Sequence, residues 1–295
     1  MTVSADQVRS VVAAQLPRYR VDSVAVSGAG SDNTAFEVNG ELIVRFSKEP
    51  DPAARADRVI REARLLAAVA DISPIPVPRP TFTVAELGCL AYFKIPGVPL
   101  LDVPEPQRMR RATSVAAALG ELLTALHAAP VDRMAELVDL DEQPMLEWRS
   151  EAAANYAAVA KYLPMIYRHT VEAWLATPPP ADTHAPAFSH NDLGIEHVLV
   201  DPAGWPVTGV IDWSDAAIID PAFDFGRIHR DLGPAAVDAA LRSYGVDIDG
   251  ISGLRERAAF FARCSVLEDL AYGMETGQRA YIDKCRTAMA WLYPK

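Results

Sequence analysis

Apolar and polar positions change rhythm several times along the chain. Near the start, Val8, Val11 and Val12 fall at helical spacing behind Ser4, a residue type that caps helices, which predicts a short helix over Ser4–Leu16. From Val21 to Lys48 the period shortens to two, predicting strands over Val21–Val26, Thr34–Val38 and Glu41–Phe46, the last two joined by the hairpin signal Asn39-Gly40. Helical spacing returns over Ala53–Ala70, where Val59, Ala63, Leu66 and Ala67 form an apolar stripe. Four prolines between Ile72 and Pro80 exclude a helix there and lead into strands over Thr81–Val84 and Leu90–Ile95.

Past Pro96-Gly97-Val98-Pro99 the strand signals give way to helical ones. A domain boundary is expected here, with an N-terminal lobe over 1–95 and a C-terminal lobe over 96–295. Gln107–Ala128 reads as one long helix with Leu119, Leu122, Leu123 and Leu126 on its apolar face. Met145–Ala176 reads as two helical pieces broken at Pro164. Two short apolar runs, His197–Val200 and Val207–Ile211, flank the turn signal Asp201-Pro202-Ala203-Gly204 and predict a hairpin. Helices over Pro234–Tyr244, Leu254–Thr276 and Gln278–Leu292 close the chain. The fold class is therefore α+β: an antiparallel sheet of five strands with a helix, then a mostly helical part interrupted by a hairpin.

Composition narrows the function classes. Half of the 295 residues are hydrophobic and mean hydropathy is near zero, as in a globular chain. No apolar run reaches membrane-spanning length, and the N-terminus lacks the basic-then-apolar order of a signal peptide. Cys89, Cys264 and Cys285 are odd in number and widely spaced, unlike a disulfide framework or a zinc knuckle, which points to a cytoplasmic protein. A net charge of −11 disfavours broad binding to nucleic acid and leaves room for a local basic pocket.

The candidate chemistry gathers around the hairpin. Asp192 and His197 precede or open its first strand and Asp212 closes the second, so the predicted hairpin brings an imidazole and two carboxylates to one region. Such a set suits metal-assisted acid/base work. In the N-terminal part, Ser27 and Gly28 open a Gly-containing loop over Ser27–Asp32 that is either a plain hairpin loop or a phosphate-facing one. Arg45, amid Ile43, Val44 and Phe46, either faces solvent or reaches a phosphate. Glu62, beside the buried stripe of its helix, is either a solvated surface glutamate or the group that holds such an arginine.

Ser189-His190-Asn191-Asp192, then His197 five residues after Asp192, then Val210-Ile211-Asp212-Trp213 with Asp212 twenty residues after Asp192, resembles the aminoglycoside and macrolide phosphotransferase family. That family shows H-x-D, a metal-binding side chain five residues on, and I-D-[FW] about twenty residues on. The element order resembles its bilobal protein-kinase-like fold over nearly the whole chain. His197 departs from the commoner Asn, an exchange also found in the macrolide branch; both side chains ligate metals. Arg45 stands where protein kinases carry lysine.

The resemblance implies roles for these residues. Asp192 would orient or deprotonate the acceptor hydroxyl, and His197 and Asp212 would hold Mg²⁺ against the phosphates of ATP or GTP. Arg45, steadied by Glu62, would contact phosphate oxygens, with the Ser27–Gly28 loop nearby. Backbone groups of Phe93 and Ile95, in the connection between lobes, would take the purine edge. His190 would brace the loop. The implied acceptor is an antibiotic: a macrolide, an aminoglycoside or a cyclic peptide such as viomycin. His197 and Asp-Trp lean towards macrolides, whereas Glu268, Asp269 and Glu275 would suit a cationic acceptor. A metabolic kinase for a sugar or amino alcohol is a second enzymatic reading. A pseudo-kinase that binds nucleotide without turnover is the reading from another class, opposed by the intact Asp192 and Asp212.

Overall fold

The computed structural model describes residues 3–29, 33–181, 184–245 and 248–294. They form two compact units, one of Met1–Pro96 with Gly209–Ser214 and one of Gly97–Thr208 with Asp215–Lys295. The stretch 209–214 thus belongs with the first unit although the chain on either side of it belongs to the second.

The first unit runs α1 (Ala5–Gln15), β1 (Val24–Ala29), β2 (Asn33–Val38), β3 (Leu42–Ser47), α2 (Pro52–Ile72), β4 (Pro80–Val84) and β5 (Cys89–Phe93). Ser4 closes a capping box with Gln7 at the start of α1, and Asp51 caps α2 ahead of a proline in its first turn. The five strands form one antiparallel sheet in the order β1-β2-β3-β5-β4. Alternation sorts β3 onto two faces. Leu42, Val44 and Phe46 are buried with Phe36, Val38, Cys89 and Ala91 against Val8 and Val12 of α1. Ile43 and Arg45 take the other face.

Two boundaries differ from expectation for local reasons. β1 starts at Val24 because the Asn39 side chain claims the preceding residues: its Oδ1 accepts from the amides of Asp22 and Ser23, and its Nδ2 donates to the Arg20 carbonyl. β1 then continues to Ala29, since a bulge between Val26 and Gly28 lets the ladder run on through Gly28 opposite Ala35. Ser27 and Gly28 are therefore strand residues at that bulge, not loop residues as expected, while Gly30, Ser31 and Asp32 lie outside the described residues. Asn39 and Gly40 both have positive φ, as the hairpin signal requires.

The second unit runs β6 (Val98–Pro99), α3 (Glu105–His127), α4 (Val131–Met134), α5 (Met145–Val159), α6 (Met165–Leu175), β7 (Ala187–Ser189), β8 (Val198–Val200), β9 (Val207–Val210), β10 (Ala217–Ile219), α7 (Ala222–Leu232), α8 (Pro234–Ser243), α9 (Ile248–Thr276) and α10 (Arg279–Leu292). β9 carries the chain into the stretch 209–214. The sheets are small, β10-β7 and β6-β8-β9. Leu119, Leu122, Leu123 and Leu126 of α3 are fully buried. α3 meets α8 so closely that a Cβ on Gly120 would collide with the Ala240 carbonyl oxygen. Every residue of α7 except His229 is buried, including Asp224, Arg227, Arg230 and Asp231. No helix among the described residues is long and apolar enough to cross a membrane. The three cysteines are buried and unbridged, and burial pushes the Cys89 thiol up to about 12.

Candidate active site

Candidate groups lie in both units. In the first, the pleat of β3 turns Arg45 towards α2, where its Nη1 donates to Glu62 Oε1 at 2.8 Å. Both side chains are only 15% exposed, so the pair is shielded from solvent screening. Burial pushes the Glu62 carboxyl up, and the Arg45 guanidinium pulls it back down. Asp212 adds its negative field to both groups, and Tyr92 hydrogen-bonds Arg45. The fold thus assembles Arg45, Glu62 and Asp212 from three distant stretches of chain.

Asp212 follows β9 at φ 62°, left-handed backbone that non-glycine residues seldom adopt. Its neighbours hold it there. Trp213 is fully buried and donates Nε1–H to the Val210 carbonyl at 3.1 Å, and the Val210 amide donates to the Pro76 carbonyl at 3.0 Å. The Ser214 hydroxyl donates to Asp212 Oδ1 at 2.8 Å. Gly209 is glycine because Ile95 lies on it: a Cβ would meet Ile95 Cγ2 at 2.6 Å. Phe93 ends β5 opposite Leu42, half exposed; Ile95 falls outside the strand, which ends two residues sooner than expected.

In the second unit, β7 and β10 pair through Ser189 opposite Ala217 and clamp the base of the loop that follows. Asp224 shapes the loop. Its carboxylate accepts from the His190 amide at 2.9 Å and the Asn191 amide at 3.0 Å. Complete burial pushes the Asp224 carboxyl up to about 7 against the pull of those two amides and Arg227. The start of α7 is capped by Asp220 instead, which accepts from the Ala222 amide. Asn191 has φ 65°, left-handed like Asp212, and its side chain donates to the Asp215 carbonyl. His190, fully buried, accepts the Asp192 amide on Nδ1.

Asp192 has its two carboxylate oxygens flanked by different cationic or polar groups. Arg227 Nη2 stands 3.8 Å from Oδ1 and His197 Nδ1 3.3 Å from Oδ2. Burial pushes this carboxyl up, but Arg227, His197 and His190 outweigh it and hold it below the usual carboxylate value. His197 Nδ1 also lies 2.8 Å from the Asp192 carbonyl oxygen. A carbonyl can only accept, so Nδ1 carries a hydrogen, and in the neutral ring Nε2 then carries the lone pair. That is the tautomer a metal-ligating histidine needs. Among the described residues, no group of three or more His, Cys, Asp or Glu side chains is gathered as for a resident metal. A magnesium ion that arrives with a nucleotide does not require one, since phosphates and water supply most of its six oxygens.

Glu268 and Asp269, both on α9, have different surroundings. Glu268 is half exposed, with Oε2 3.9 Å from Arg227. Asp269 is buried; its Oδ2 is held by Arg230 at 2.9 Å and Lys284 at 2.8 Å, which leaves it poorly placed to greet a ligand. Those partners belong to a charge network that the sequence reading missed. Lys284 on α10 reaches both Glu196 carboxylate oxygens at 2.8 Å, and Arg230 forks onto Asp231 at 2.7 and 2.8 Å. The Asp231 carboxylate also accepts the Ile195 amide at 3.1 Å. The available signal was a run of charges, Asp224, Arg227, Arg230 and Asp231, interleaved with the apolar Phe223, Phe225, Ile228 and Leu232.

Residues 24–261 match the model of the APH family, described as the phosphotransferase enzyme family. The chain belongs to this phosphotransferase family. It is 30% identical over 285 residues to viomycin phosphotransferase of Streptomyces vinaceus, covering 90% of this chain and 96% of that one. Among solved structures, the GDP complex of aminoglycoside 2'-phosphotransferase-IIIa is similar with a TM-score of 0.70, 22% identity and 99% of both chains covered. The macrolide 2'-phosphotransferase MphH of Brachybacterium faecium is similar with a TM-score of 0.63 and 24% identity, over 98% of this chain and 99% of that one. The fold of this phosphotransferase is thus the protein-kinase-like one, and the loop that carries Asp192 and His197 falls inside the matched stretch.

Proposed function

We propose that this phosphotransferase moves the γ-phosphoryl group of ATP or GTP onto a hydroxyl of a small antibiotic-like molecule. The observation that carries the reading is the state of Asp192: a carboxylate kept ionised between Arg227 and His197 in a loop whose backbone is fixed by Asp224. Phosphoryl transfer passes through a loose transition state, so alignment of the acceptor and neutralisation of phosphate charge do most of the work. Asp192 is proposed to accept the hydroxyl hydrogen and aim its oxygen. A strongly basic group is not needed for that task, which agrees with a carboxyl held low. Arg45, braced by Glu62, is proposed to meet phosphate oxygens, and the backbone around Phe93 and Ile95 the purine edge, with Ser27 and Gly28 at the β1 bulge on the phosphate side. His197 and Asp212 are proposed to hold Mg²⁺, the former through Nε2. When bound, that ion would neutralise phosphate charge and fix the donor's geometry.

Among acceptors, the viomycin-modifying relative favours a cyclic peptide over a macrolide, and half-exposed Glu268 suits a cationic group on such a peptide. The test is Mg²⁺-dependent nucleotide consumption with viomycin, an aminoglycoside and a macrolide, each with ATP and with GTP. Phosphorylated product with one of the three is expected. Nucleotide binding with no consumption across the set would move the protein to the non-catalytic reading. Asp192→Ala is expected to abolish transfer while nucleotide still binds; full activity in that variant would remove the role given to Asp192.

A further inference from the structure

On α7, Asp224, Arg227 and Asp231 stand at i, i+3 and i+7, one face of a helix. Taken in order, they meet successive parts of the loop: Asp224 the amides of His190 and Asn191, Arg227 the Asp192 carboxylate, Asp231 the amide of Ile195. α7 therefore acts as a splint along 190–195. The outer two contacts are backbone hydrogen bonds and shape the loop. The middle one reaches the side chain that the proposed chemistry uses.

Arg227 is an unusual middle contact. Its side chain is 9% exposed, yet Nε has no hydrogen-bond partner, and a buried guanidinium ordinarily spends its donors. Its Nη1 lies 3.9 Å from both Glu268 Oε2 and Asp269 Oδ1, and its Cζ sits 5.0 Å over the Phe223 ring. The cation is thus caged by three carboxylates and an aromatic face with no bidentate fork onto any one of them. For Asp192 the consequence is geometric. Arg227 stands at Oδ1 and His197 at Oδ2, so the two together restrict rotation of the carboxylate plane.

We propose that Arg227 is a positioning residue for Asp192, fixing the carboxylate plane so that one oxygen faces the acceptor hydroxyl. This rests on the role given to Asp192 above. The test is steady-state kinetics of Arg227→Met and Arg227→Lys with the acceptor found in the antibiotic set, alongside thermal melts. Arg227→Met is expected to lower kcat about a hundredfold, the cost of a small misplacement, with both KM values unchanged. Arg227→Lys, which keeps the charge without the reach, is expected to lower kcat about tenfold, again with both KM values unchanged. Val12→Ala, a core change in α1, serves as the control: it is expected to lower the melting temperature and leave kcat alone. A wild-type kcat in Arg227→Met overturns the proposal, as does a loss accompanied by matching rises in both KM values. Where Arg227→Met does not fold, Arg227→Lys decides: the tenfold loss supports the proposal and a wild-type kcat overturns it. Asp192→Ala separates the layers. If it still transfers phosphate, the underlying reading fails; if it is dead while Arg227→Met turns over normally, only the Arg227 role fails.

Discussion

His197 and His127 show how a hydrogen bond decides what an imidazole can do. For His197 the Asp192 carbonyl holds a hydrogen on Nδ1, so His197→Ala removes the Nε2 proposed to ligate Mg²⁺. A rise of about tenfold or more in the Mg²⁺ concentration for half-maximal turnover is expected; an unmoved magnesium titration would count against ligation. His127, at the end of α3, lies with Nδ1 2.8 Å from the Tyr244 hydroxyl and Nε2 3.4 Å from Ser189 Oγ, just behind the H-x-D loop. Burial lowers its value from 6.5 to about 3. Between those values the unfolded chain binds the extra proton and the folded one does not. The contribution of His127 is therefore full above pH 6.5 and is lost as pH falls towards 3. The stability gap between wild type and His127→Gln is expected to shrink by about 1.4 kcal/mol per pH unit below 6.5, measured by urea unfolding at pH 7 and pH 5. The sequence showed Asp192, His197 and Asp212 through their spacing. It hid Arg227 and Lys284, because lone charges in helices read as solvated until their burial is known.

Long elements were legible and short ones were not. α3, with four leucines on one face, and the hairpin at Asn39-Gly40 follow from periodicity and turn chemistry alone. β6, β7 and β10 are two or three residues each, too short for alternation to register, yet β7 and β10 clamp the base of the loop that carries Asp192. Gly120 shows what close helix packing demands. Gly120→Ala would place a methyl against the Ala240 carbonyl of α8, a backbone group that cannot rotate away. A loss of about 2–3 kcal/mol is expected in denaturant unfolding, despite alanine's better helix propensity. Unaltered stability would mean that α3 and α8 can part without cost. Lys284 on α10 is the matching case for charge. Lys284→Met leaves Glu196 with only Arg230 at 3.9 Å, Asp231 with Arg230, and Asp269 with Arg230 and the more distant Arg227, at an expected cost of about 3–5 kcal/mol in the same assay. A variant as stable as wild type would show the network to be dispensable.

The overall class, a sheet-bearing N-terminal part followed by a helical one, was readable because strand signals prevail up to Pro96 and helical ones after it, the hairpin apart. The assignment of 209–214 was not readable, since nothing in Gly209–Ser214 differs in composition from its neighbours. The matched family stretch ends at 261, yet Lys284, beyond it, holds the residue next to His197. Recombination between relatives meets a related constraint. A crossover placed at Pro96 would take Pro76 and Ile95 from one parent while leaving Val210, Gly209 and Asp212 to the other. The hydrogen bond from Val210 to Pro76 and the contact of Ile95 on Gly209 would then join strangers. Chimeras should therefore exchange two segments together, the first ninety-six residues and the hexapeptide 209–214, as one inherited module written in two places.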